Sequence, residues 1–296
     1  MSISAQQVKE LRERTGLGMM ECKLALTETS GDMEAAADLL RKRAGAKVEK
    51  KAGRIAAEGA VGIFVSPDRK AAAVVEVNCE TDFVAKGDNF TAFAAAAAAR
   101  VTDKQPADLD ALYALPGKDG STGSIAQMRE ELVMKLGEKI NVRRFERMSA
   151  EKGHIGSYVH HGSKIGSLVL MEGGDETLAR DIAMHIAASR PEYVSKDQVP
   201  AAVIAKEKEI YSEQARDSGK PPEIIEKMVM GRINKYLNEI SLLGQPFVKD
   251  PDTTVEKLLK SGGAQVKAFV RYEVGEGLEK RSDNFAAEVM ATVKGA

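Results

Sequence analysis

An internal duplication constrains the fold of this chain more than any other feature. The segment GAVGIFVSPDRKAAAVVEV, residues 59–77, matches GHIGSYVHHGSKIGSLVLM, residues 153–171, in two spaced glycines, a valine three residues later, a polar turn and an apolar strand. Val65 corresponds to Val159, and these residue numbers differ by 94. Two apolar stretches around a polar turn are typical of a β-hairpin, so the repeat predicts two hairpins of the same build.

Each predicted hairpin is followed by a helix and a closing strand. The helices are alanine-rich, FTAFAAAAAARV and LARDIAMHIAAS, and their small side chains let a helix pack closely on a sheet. The closing strands are VRRFERM, residues 142–148, and FVRYEVG, residues 269–275. Aligning Arg144 with Arg271 gives an offset of 127 residues, which exceeds the hairpin offset of 94 by 33. The pattern predicts a duplicated α+β core with antiparallel sheets and an insertion of that size in the second half.

The insertion has the pattern of two long helices, at about residues 199–243. Pro221 and Pro222 open the second helix, where proline is favoured. Apolar residues at helical spacing predict the seam of an antiparallel helical hairpin, a coiled coil, formed by Ile204, Ile210, Ile225, Val229, Ile233, Tyr236 and Ile240. Two helices cannot bury all of their apolar surface on each other, so the hairpin docks on another protein, on a second copy or back onto its own domain. The sequence leaves these alternatives open.

The chain begins with a predicted three-helix bundle, residues 1 to about 46. Helical segments at 5–14, 19–29 and 33–43 are separated by the glycine-containing turns TGLGM and TSGDM. A bundle of this size usually serves as a docking module. The next stretch, residues 45–59, is charged and is interpreted as a linker or an exposed helix. The apolar positions expected to face the bundle core are Val8, Leu11, Leu24, Leu26, Leu39 and Leu40.

Composition argues against several classes of protein. Lys and Arg total 43 against 44 Asp and Glu, so the net charge is −1 and no bulk positive field would recruit nucleic acid. No stretch approaches the roughly 18 apolar residues of a membrane span. The N-terminal residues carry charges where a signal peptide would be apolar, and we expect a cytoplasmic protein. Cys22 and Cys79 lie far apart without a CxxC motif, which indicates neither a disulfide framework nor a zinc site.

The sequence does not indicate an enzyme active site. The histidines at positions 154, 160, 161 and 185 show no metal-binding spacing. Cys79 has Glu80 and Asp82 nearby, and neighbouring acids raise the pKa of a thiol, which disfavours a nucleophile. The stretch GKDGSTGS, residues 117–124, lacks the residue order of a phosphate-binding loop and is interpreted as a surface turn. We expect no catalytic residue, no cofactor and no metal.

The stretch VNCETDFVAKGDNF sets an acid beside a large aromatic where the chain changes from strand to helix. The predicted strand covers residues 71–78, and the predicted helix, residues 88–100, is capped by Asp88. Asp82 and Phe83 lie on the connection. The local pattern favours Phe83 as a plug of the core with Asp82 capping a turn. The alternative is that the connection presents both side chains outward.

Two further segments have open roles. His160 and His161 occupy the turn of the second hairpin, either as exposed turn residues or as a recognition tip. Residues 280–296 predict one amphipathic helix, either packed on the protein or held for a partner. That helix would begin at Ser282 or Asp283 and carry the apolar side chains Phe285, Val289 and Val293.

Two motifs resemble the signatures of the bacterial translation elongation factor Ts family. They are LRERTGLGMMECKLAL, residues 11–26, and EVNCETDFVAK, residues 76–86. The resemblance extends through HIAASRPEYV, SGKPPEIIEKMVMGR, SLLGQPFV and FVRYEVGEGLEK, essentially the whole chain. Members of this family are guanine-nucleotide exchange factors of elongation factor Tu. The resemblance implies a ubiquitin-associated-like domain and linker at 1–54, a core N-subdomain at 55–148, a core C-subdomain with the helical hairpin at 149–278 and a C-terminal helical module at 279–296.

The resemblance also implies which residues contact the partner. In this family the residues matching Asp82 and Phe83 insert between two helices of the partner's G domain and disturb its magnesium and phosphate site. The other implied contact residues are Gly16, Met19, Met20, Thr81, Val84 and His160. The turn YVHHGSKIG is one residue longer than in the shortest members, so His161 is the alternative to His160. Gly87 stands where asparagine is commoner, a replacement that suits a left-handed backbone.

The implied partner is elongation factor Tu, either bound to GDP or free of nucleotide. The family associates the helical hairpin with dimer contacts, so a homodimer or a 2:2 complex is expected through it. Neither membrane binding nor direct nucleic-acid binding is expected. The alternative is a ribosome- or RNA-associated factor, motivated by the stretch INVRRFER and by the basic residues Lys47, Lys50, Lys51 and Arg54.

Overall fold

The structure, a computed structural model, describes residues 3–118, 123–216 and 221–278. These residues form an N-terminal helical bundle and two α+β halves with small antiparallel sheets, which confirms the predicted α+β class. The predicted terminal helix lies outside the described residues, as do parts of the GKDGSTGS stretch and of the connection between the two inserted helices. None of the helices in the described ranges is long and apolar enough to cross a membrane.

The bundle consists of α1 (Ala5–Thr15), α2 (Met19–Glu28) and α3 (Met33–Lys51). Ser4 and Gln7 form a reciprocal capping box at the start of α1. The helix ends at Gly16, whose φ of 69° lies in the left-handed region that glycine adopts without strain. Asp32 caps α3, which continues to Lys51, so residues 45–51 of the charged segment predicted as a linker or exposed helix are helical.

The bundle core differs from the prediction at one position. Val8, Leu11, Leu26 and Leu40 are buried and Leu39 is partly buried, as predicted. Leu24, by contrast, is 54% exposed, so its prediction as a core residue was wrong. The reason is the rotation of α2, which turns Cys22, Ala25 and Leu26 inward. The same core includes Met134 from the first α+β half, so the bundle rests on that half.

The two halves of the core share an order of elements. The first contains β1 (Glu58–Val65), β2 (Ala71–Cys79), α4 (Asp82–Ala85), α5 (Asp88–Lys104), α6 (Leu109–Ala114), α7 (Ile125–Leu136) and β3 (Asn141–Ser149). The second contains β4 (His154–Val159), β5 (Ile165–Glu172), α8 (Glu176–Ser189), α9 (Ala201–Arg216), α10 (Pro222–Ile240), β6 (Pro246–Phe247), β7 (Asp250–Thr254), α11 (Val255–Ser261) and β8 (Gln265–Glu273).

Both predicted hairpins are present, and each is completed by its closing strand. The sheets have the orders β1-β2-β3 and β4-β5-β8, and all of these pairings are antiparallel. One face of each sheet carries an alanine-rich helix, α5 on the first and α8 on the second. The other faces pack on each other through Val61, Val74, Ile155, Leu168 and Val270. The core is therefore a stack of helix, sheet, sheet and helix.

The spaced glycines of the duplication have the same role in both halves. A Cβ atom on Gly62 would lie 2.6 Å from the carbonyl oxygen of Ala94 in α5. A Cβ atom on Gly156 would lie 2.7 Å from the carbonyl oxygen of Ala179 in α8. Each strand is thus crossed by a helix backbone at a distance that admits only hydrogen on the strand.

The closing strands are also related by a shared contact. Arg147 donates from Nε to the carbonyl oxygen of Thr102, near the end of α5, at 3.1 Å. Arg271 donates from Nε to the carbonyl oxygen of Ala187, near the end of α8, at the same 3.1 Å. An arginine on each closing strand therefore supplies a donor to carbonyl groups that a helix end leaves without partners.

This contact corrects the predicted alignment of the closing strands. Ala73 pairs with Arg147, and Ser167 pairs with Arg271, so the partners on the hairpins keep the offset of 94. The equivalent of Arg271 is Arg147 rather than Arg144, and the numbers 271 and 147 differ by 124. The prediction matched residue types, whereas strand register depends on which groups meet across the sheet. The insertion is therefore 30 residues rather than 33.

The two inserted helices, α9 and α10, pack against each other. Pro221 caps α10 and Pro222 is its first residue, as predicted. Ile210 is 37% exposed, and the next residue, Tyr211, lies in the seam in its place. Tyr236 is partly buried and Ile240 is buried at the end of α10. The side chains of the seam are Ile204, Tyr211, Ala215, Ile225, Val229, Ile233 and Leu237.

Candidate functional site

Phe83 projects from a one-turn helix, α4, that follows β2 after a turn formed by Glu80 and Thr81. Its side chain is 86% exposed, whereas Val84 and Ala85, the next two residues of α4, are buried. Thr81 caps the helix, because its hydroxyl accepts a hydrogen bond from the amide of Val84 at 3.3 Å. The local interpretation of Phe83 as a core plug with Asp82 as the cap was therefore wrong. The anchors are the neighbours of Phe83, which leaves the aromatic ring free to enter another surface.

Glu138 holds the turn before α4 in place. Its Oε1 accepts a hydrogen bond from the Thr81 hydroxyl at 2.6 Å, and its Oε2 accepts from the amides of Glu80 and Thr81 at 3.0 Å each. Three bonds to one carboxylate give the turn a defined shape, since bonds to a charged acceptor are among the stronger ones in proteins. Sequence reasoning missed Glu138, because no local pattern relates it to a turn more than 50 residues away.

Glu80 fixes the same turn from its other side. Its Oε1 accepts a hydrogen bond from the amide of Lys139 at 2.7 Å, and Arg54 forms an ion pair with it at 3.2 Å. Partial burial acts to raise the pKa of Glu80, but the Lys139 amide and the Arg54 guanidinium outweigh it and hold the pKa below its ordinary value. The connection between β2 and α4 is thus tied to the segment that leads into β3.

Cys79, the last residue of β2, is unsuited to nucleophilic chemistry. Its thiol donates to the carbonyl oxygen of Thr81 at 3.1 Å and is buried. Burial, followed by the charge of Glu138, raises the pKa of Cys79 to about 12. The direction is the predicted one, although the acids responsible are Glu138 and Glu58 rather than Glu80 or Asp82. At neutral pH the group is a thiol, which is the unreactive form.

Asp82 stays at the surface beside Phe83. Its carboxylate forms an ion pair with Lys86 at 2.7 Å, one helical turn later. The hydrogen bond from Lys86, and then the charge of that residue, lower the pKa of Asp82 below its ordinary value. Gly87 caps the following helix in place of the predicted Asp88, and its φ of −73° is not left-handed. The exposed tip of the connection is thus an aromatic ring next to a carboxylate.

The two histidines of the second hairpin lie in different surroundings. Both are exposed, and the Nδ1 atom of His160 lies 3.2 Å from the hydroxyl oxygen of Tyr158, a hydrogen-bond distance. His160 borders a mainly apolar groove of about 550 Å³, which His161 does not line in the described structure. The other main lining residues are Ile165, Met184, Ala188, Val248 and Arg271. This groove favours His160 as the residue that a partner would contact.

The turn of the second hairpin lies against the first half. The amide of Val61 in β1 donates to the carbonyl oxygen of Ser163 at 2.7 Å. Lys164 forms an ion pair with Glu58, which pairs across the sheet with Cys79 at the end of β2. The His160 turn and the base of α4 therefore belong to neighbouring parts of one surface.

A second exposed apolar patch lies on the bundle. Met19, Met20 and Leu24 are 57%, 74% and 54% exposed. The first two line a groove of about 590 Å³ together with Ile3, Val8, Arg12 and Lys23. Leu24 is the residue that the core prediction misplaced, and its position four residues after Met20 puts both on one face of α2. We call Met19, Met20 and Leu24 the α2 patch.

Gly16 does not belong to the α2 patch. It lines a separate cleft between the bundle and the first half, together with Asn89, Phe93 and Met128. The structure therefore brings Met19 and Met20 together but separates them from Gly16, although the three residues lie in one sequence motif.

The basic segments that motivated an RNA-binding alternative are largely engaged inside the protein. Lys47 forms an ion pair with Glu21 at 2.6 Å, and Lys51 donates to the carbonyl oxygen of Gly137. In the stretch INVRRFER, two arginines bind the buried carboxylate of Glu76 and the third binds the end of α5.

No group of three or more His, Cys, Asp or Glu side chains that could hold a metal occurs among the residues the structure describes.

Comparison with known proteins gives one consistent family. The family profile described as Elongation factor TS matches residues 80–276. A protein named elongation factor Ts from Thioalkalivibrio sulfidiphilus is 60% identical over 296 residues, which covers 100% of both chains. Proteins of the same name from Methylococcus capsulatus and Alkalilimnicola ehrlichii are 60% identical over 294 residues and 58% identical over 298 residues, covering 99% and 100% of both chains.

Proposed function

The chain belongs to the elongation factor Ts family, and from that premise we propose that it binds elongation factor Tu·GDP and promotes release of GDP and exchange for GTP. The observation that carries the proposal is the 86% exposure of Phe83 on a helix that is anchored by the buried side chains of Val84 and Ala85. An exposed aromatic on a rigid support is suited to bury itself in a partner with little loss of conformational entropy.

In the proposed mechanism Phe83 acts as a wedge between two helices of the partner's G domain. Asp82 brings a negative charge to the same place, near the bound magnesium and phosphates. If this protein prefers a form of elongation factor Tu that holds nucleotide poorly, its binding weakens the binding of nucleotide to elongation factor Tu. Nucleotide must then weaken the binding of this protein by the same free energy. The protein would then perform no bond chemistry itself, which agrees with the neutral, buried thiol of Cys79.

The wedge requires support from other contacts. A shift of about 10⁴-fold in a two-state equilibrium needs about 5.5 kcal/mol of differential binding. A single aromatic anchor contributes about 2–4 kcal/mol at a binding hot spot. We assign the remainder to the α2 patch and to the groove beside His160, which dock on the partner and hold Phe83 in place.

The proposal is tested by stopped-flow release of a fluorescent GDP analogue from elongation factor Tu. The wild-type protein should accelerate release, and Phe83→Ala should lose most of that acceleration while staying folded. Met230→Ala is the matched control, since Met230 is 47% exposed on α10, away from the proposed contacts, and should behave as wild type. A wild-type protein without effect on release would overturn the proposal.

The RNA-associated alternative predicts a different result. Binding to RNA through surface cations weakens steeply as salt concentration rises. Because Lys47, Arg54, Arg143 and Arg144 pair with carboxylates of the protein itself, the structure offers no reason to prefer this function. Tight and strongly salt-dependent RNA binding by the wild-type protein, without effect on GDP release, would favour it.

A further inference from the structure

Glu76 is a buried acid at a position where the duplication has a leucine. It lies in β2 with no exposed surface, and the residue 94 positions later in β5 is Leu170. Both strands show a register shift at this point, after Glu76 in one sheet and after Leu170 in the other, so the two positions are equivalent. Leu170 packs in the apolar layer between the sheets. A buried carboxylate is costly unless donors surround it, so Glu76 is a departure that needs a reason.

The carboxylate of Glu76 accepts hydrogen bonds from both halves of the core. Its Oε1 accepts hydrogen bonds from the amide of Gly275 at 2.8 Å, from Asn78 Nδ2 at 3.1 Å and from Arg143 at 3.0 Å. Its Oε2 accepts from Arg144 Nε at 2.6 Å. Asn78, Arg143 and Arg144 belong to the first sheet, whereas Gly275 follows the last strand of the second. One carboxylate thus joins the two halves.

The two arginines extend the connection to the turn that follows β8. Arg143 donates to the carbonyl oxygen of Glu276 at 2.7 Å, and Arg144 donates to that of Glu273 at 3.3 Å. The Arg144 guanidinium also lies over the ring of Tyr272, 4.2 Å from its centroid. Together with Glu76, these contacts hold the whole turn on the first half.

The turn also fits closely against the segment before β1. Gly275 has a φ of 75°, and a Cβ atom there would lie 2.5 Å from the carbonyl oxygen of Ala57. The backbone of the turn therefore reaches Glu76 only because this residue is glycine. Val274 and Gly275 are thus buried where the turn meets β3, the approach to β1 and the carboxylate.

We propose that Glu76 is a positioning residue that fixes the second half of the core, and the start of the C-terminal segment, relative to the wedge on α4. Asp82 lies six residues after Glu76 along the same chain segment, so the carboxylate sits at the base of the element that presents Phe83. His160 and its groove belong to the second half of the core, as does Gly275. The inference rests on the proposed exchange function, because its consequence is that both contacts reach the partner together.

The protonation state of Glu76 agrees with its hydrogen-bond contacts. Burial acts to raise the pKa of Glu76, but the donors from Gly275, Arg144, Asn78 and Arg143 outweigh burial and keep the pKa below its ordinary value. The group is therefore a carboxylate at neutral pH, and it compensates the adjacent charges of Arg143 and Arg144, of which Arg144 also pairs with Glu276 at 3.2 Å.

The test uses two substitutions and a control in the full-length protein. Glu76→Leu introduces the residue that the second half carries at this position, and Glu76→Gln keeps the shape but removes the charge. Ile182→Val is the control, since Ile182 of α8 is fully buried in the apolar core of the second half and is not among the hydrogen-bond partners of Glu76. GDP release from elongation factor Tu is measured against factor concentration, which separates the maximal rate from the concentration at half-maximal rate.

We expect Glu76→Leu to lower the maximal rate about tenfold, because a displacement of about 1 Å caused by a distant substitution costs up to about a hundredfold where geometry sets the rate. The half-maximal concentration should change less, since each contact surface stays intact. Glu76→Gln should lie between Glu76→Leu and wild type. The amide of Gly275 should exchange its hydrogen at least tenfold faster in Glu76→Leu than in wild type, because its acceptor is gone.

Two outcomes overturn the inference. One is a maximal rate in both Glu76 variants equal to that of wild type. The other is an equal loss in Ile182→Val, which would show that the effect follows general stability. A wild-type protein that fails to accelerate release overturns the exchange function itself, and the inference with it. If Glu76→Leu does not fold, Glu76→Gln alone is the test. A lower maximal rate and faster hydrogen exchange at the Gly275 amide would support the inference, and wild-type values of both would overturn it.

Discussion

The hydroxyl of Thr81 donates a hydrogen bond of 2.6 Å to Glu138, which lies 57 residues further along the chain. This contact links the cap of α4 to the segment between α7 and β3. The orientation of Phe83 therefore depends on a residue that belongs to neither β2 nor α4. A short helix of four residues has little stability of its own, so such external bonds decide its shape.

Substitution of Glu138 should impair exchange without any change in the wedge itself. Glu138→Ala removes the acceptor of three hydrogen bonds, and we expect the acceleration of GDP release to fall about tenfold because α4 is no longer held in place. The free energy of unfolding should fall by about 1–3 kcal/mol, since the amides of Glu80 and Thr81 lose their partner. Stopped-flow release and urea unfolding measure the two effects. Thr81→Ser is the control, because it keeps the hydroxyl, and unaltered release by Glu138→Ala would contradict the role of this residue.

Truncation of exposed Phe83 in α4 and of buried Phe90 in α5 should change stability by very different amounts. Phe83→Ala should change the free energy of unfolding by less than about 0.5 kcal/mol, because the ring has few contacts to lose. Phe90→Ala, in the core beneath α5 with no exposed surface, should cost about 3–5 kcal/mol. Urea denaturation of both variants measures the difference. A large loss of stability in Phe83→Ala would restore the interpretation of this residue as a core plug.

The α2 patch offers a second pair of matched substitutions. Leu24→Ala should weaken binding to elongation factor Tu about fivefold to thirtyfold, the effect of losing about 1–2 kcal/mol at an interface, with almost no change in stability. Leu26→Ala, two residues further on in α2, should cost about 2–5 kcal/mol of stability because its side chain is fully buried. Calorimetric titration and thermal unfolding separate these effects. Wild-type affinity in Leu24→Ala would exclude this residue from the interface.

His185 should make the stability of the second half depend on pH. Its Nδ1 accepts a hydrogen bond from the amide of Val248 at 3.1 Å, so the proton is on Nε2, which donates to Gln245 at 2.9 Å. Burial lowers the pKa of His185 below its ordinary value of 6.5, although the bond to Gln245 acts in the opposite direction. Between pH 6.5 and the lower pKa of the folded state, the unfolded chain binds a proton that the folded protein does not bind.

The stability due to neutral His185 is therefore complete above pH 6.5 and decreases as the pH falls from 6.5 towards the lower folded pKa. Urea unfolding at several pH values should show this decrease in wild type. His185→Gln should be less stable at pH 7.5, yet it should show a smaller decrease in the same pH window. Equal pH dependence in the two proteins would mean that His185 does not control this part of the curve.

Local patterns in the sequence predicted the bundle helices, the duplicated hairpins with their helices and closing strands, and the two inserted helices, but not α4, α6, α7, β6, β7 or α11. The glycines at 62 and 156, the polar turns and the alanine-rich helices predicted the duplicated hairpins, because alternation of apolar residues and helix caps act over a few residues. Of the predicted seam of α9 and α10, Ile204, Ile225, Val229 and Ile233 are confirmed, whereas Tyr211 and Leu237 lie in the seam in place of Ile210 and Tyr236, and Ile240 is buried outside it. A shift of one residue in a helix changes the face on which a side chain lies. The two signature motifs indicated the family, since each is one unbroken stretch of the chain.

Tertiary structure alone decided how these elements meet. Leu24 is exposed because packing on α1 and α3 sets the rotation of α2, and Arg147 rather than Arg144 matches Arg271 because the pairing of strands sets the register. The bonds from Glu138 to Thr81 and from Glu76 to Gly275 join residues 57 and 199 positions apart. Contacts at such separations leave no periodic trace in the sequence, because they arise only when folding brings distant segments together. The sequence thus determined which residues could form the wedge, and the folded chain decided that Phe83 faces outward and what holds it there.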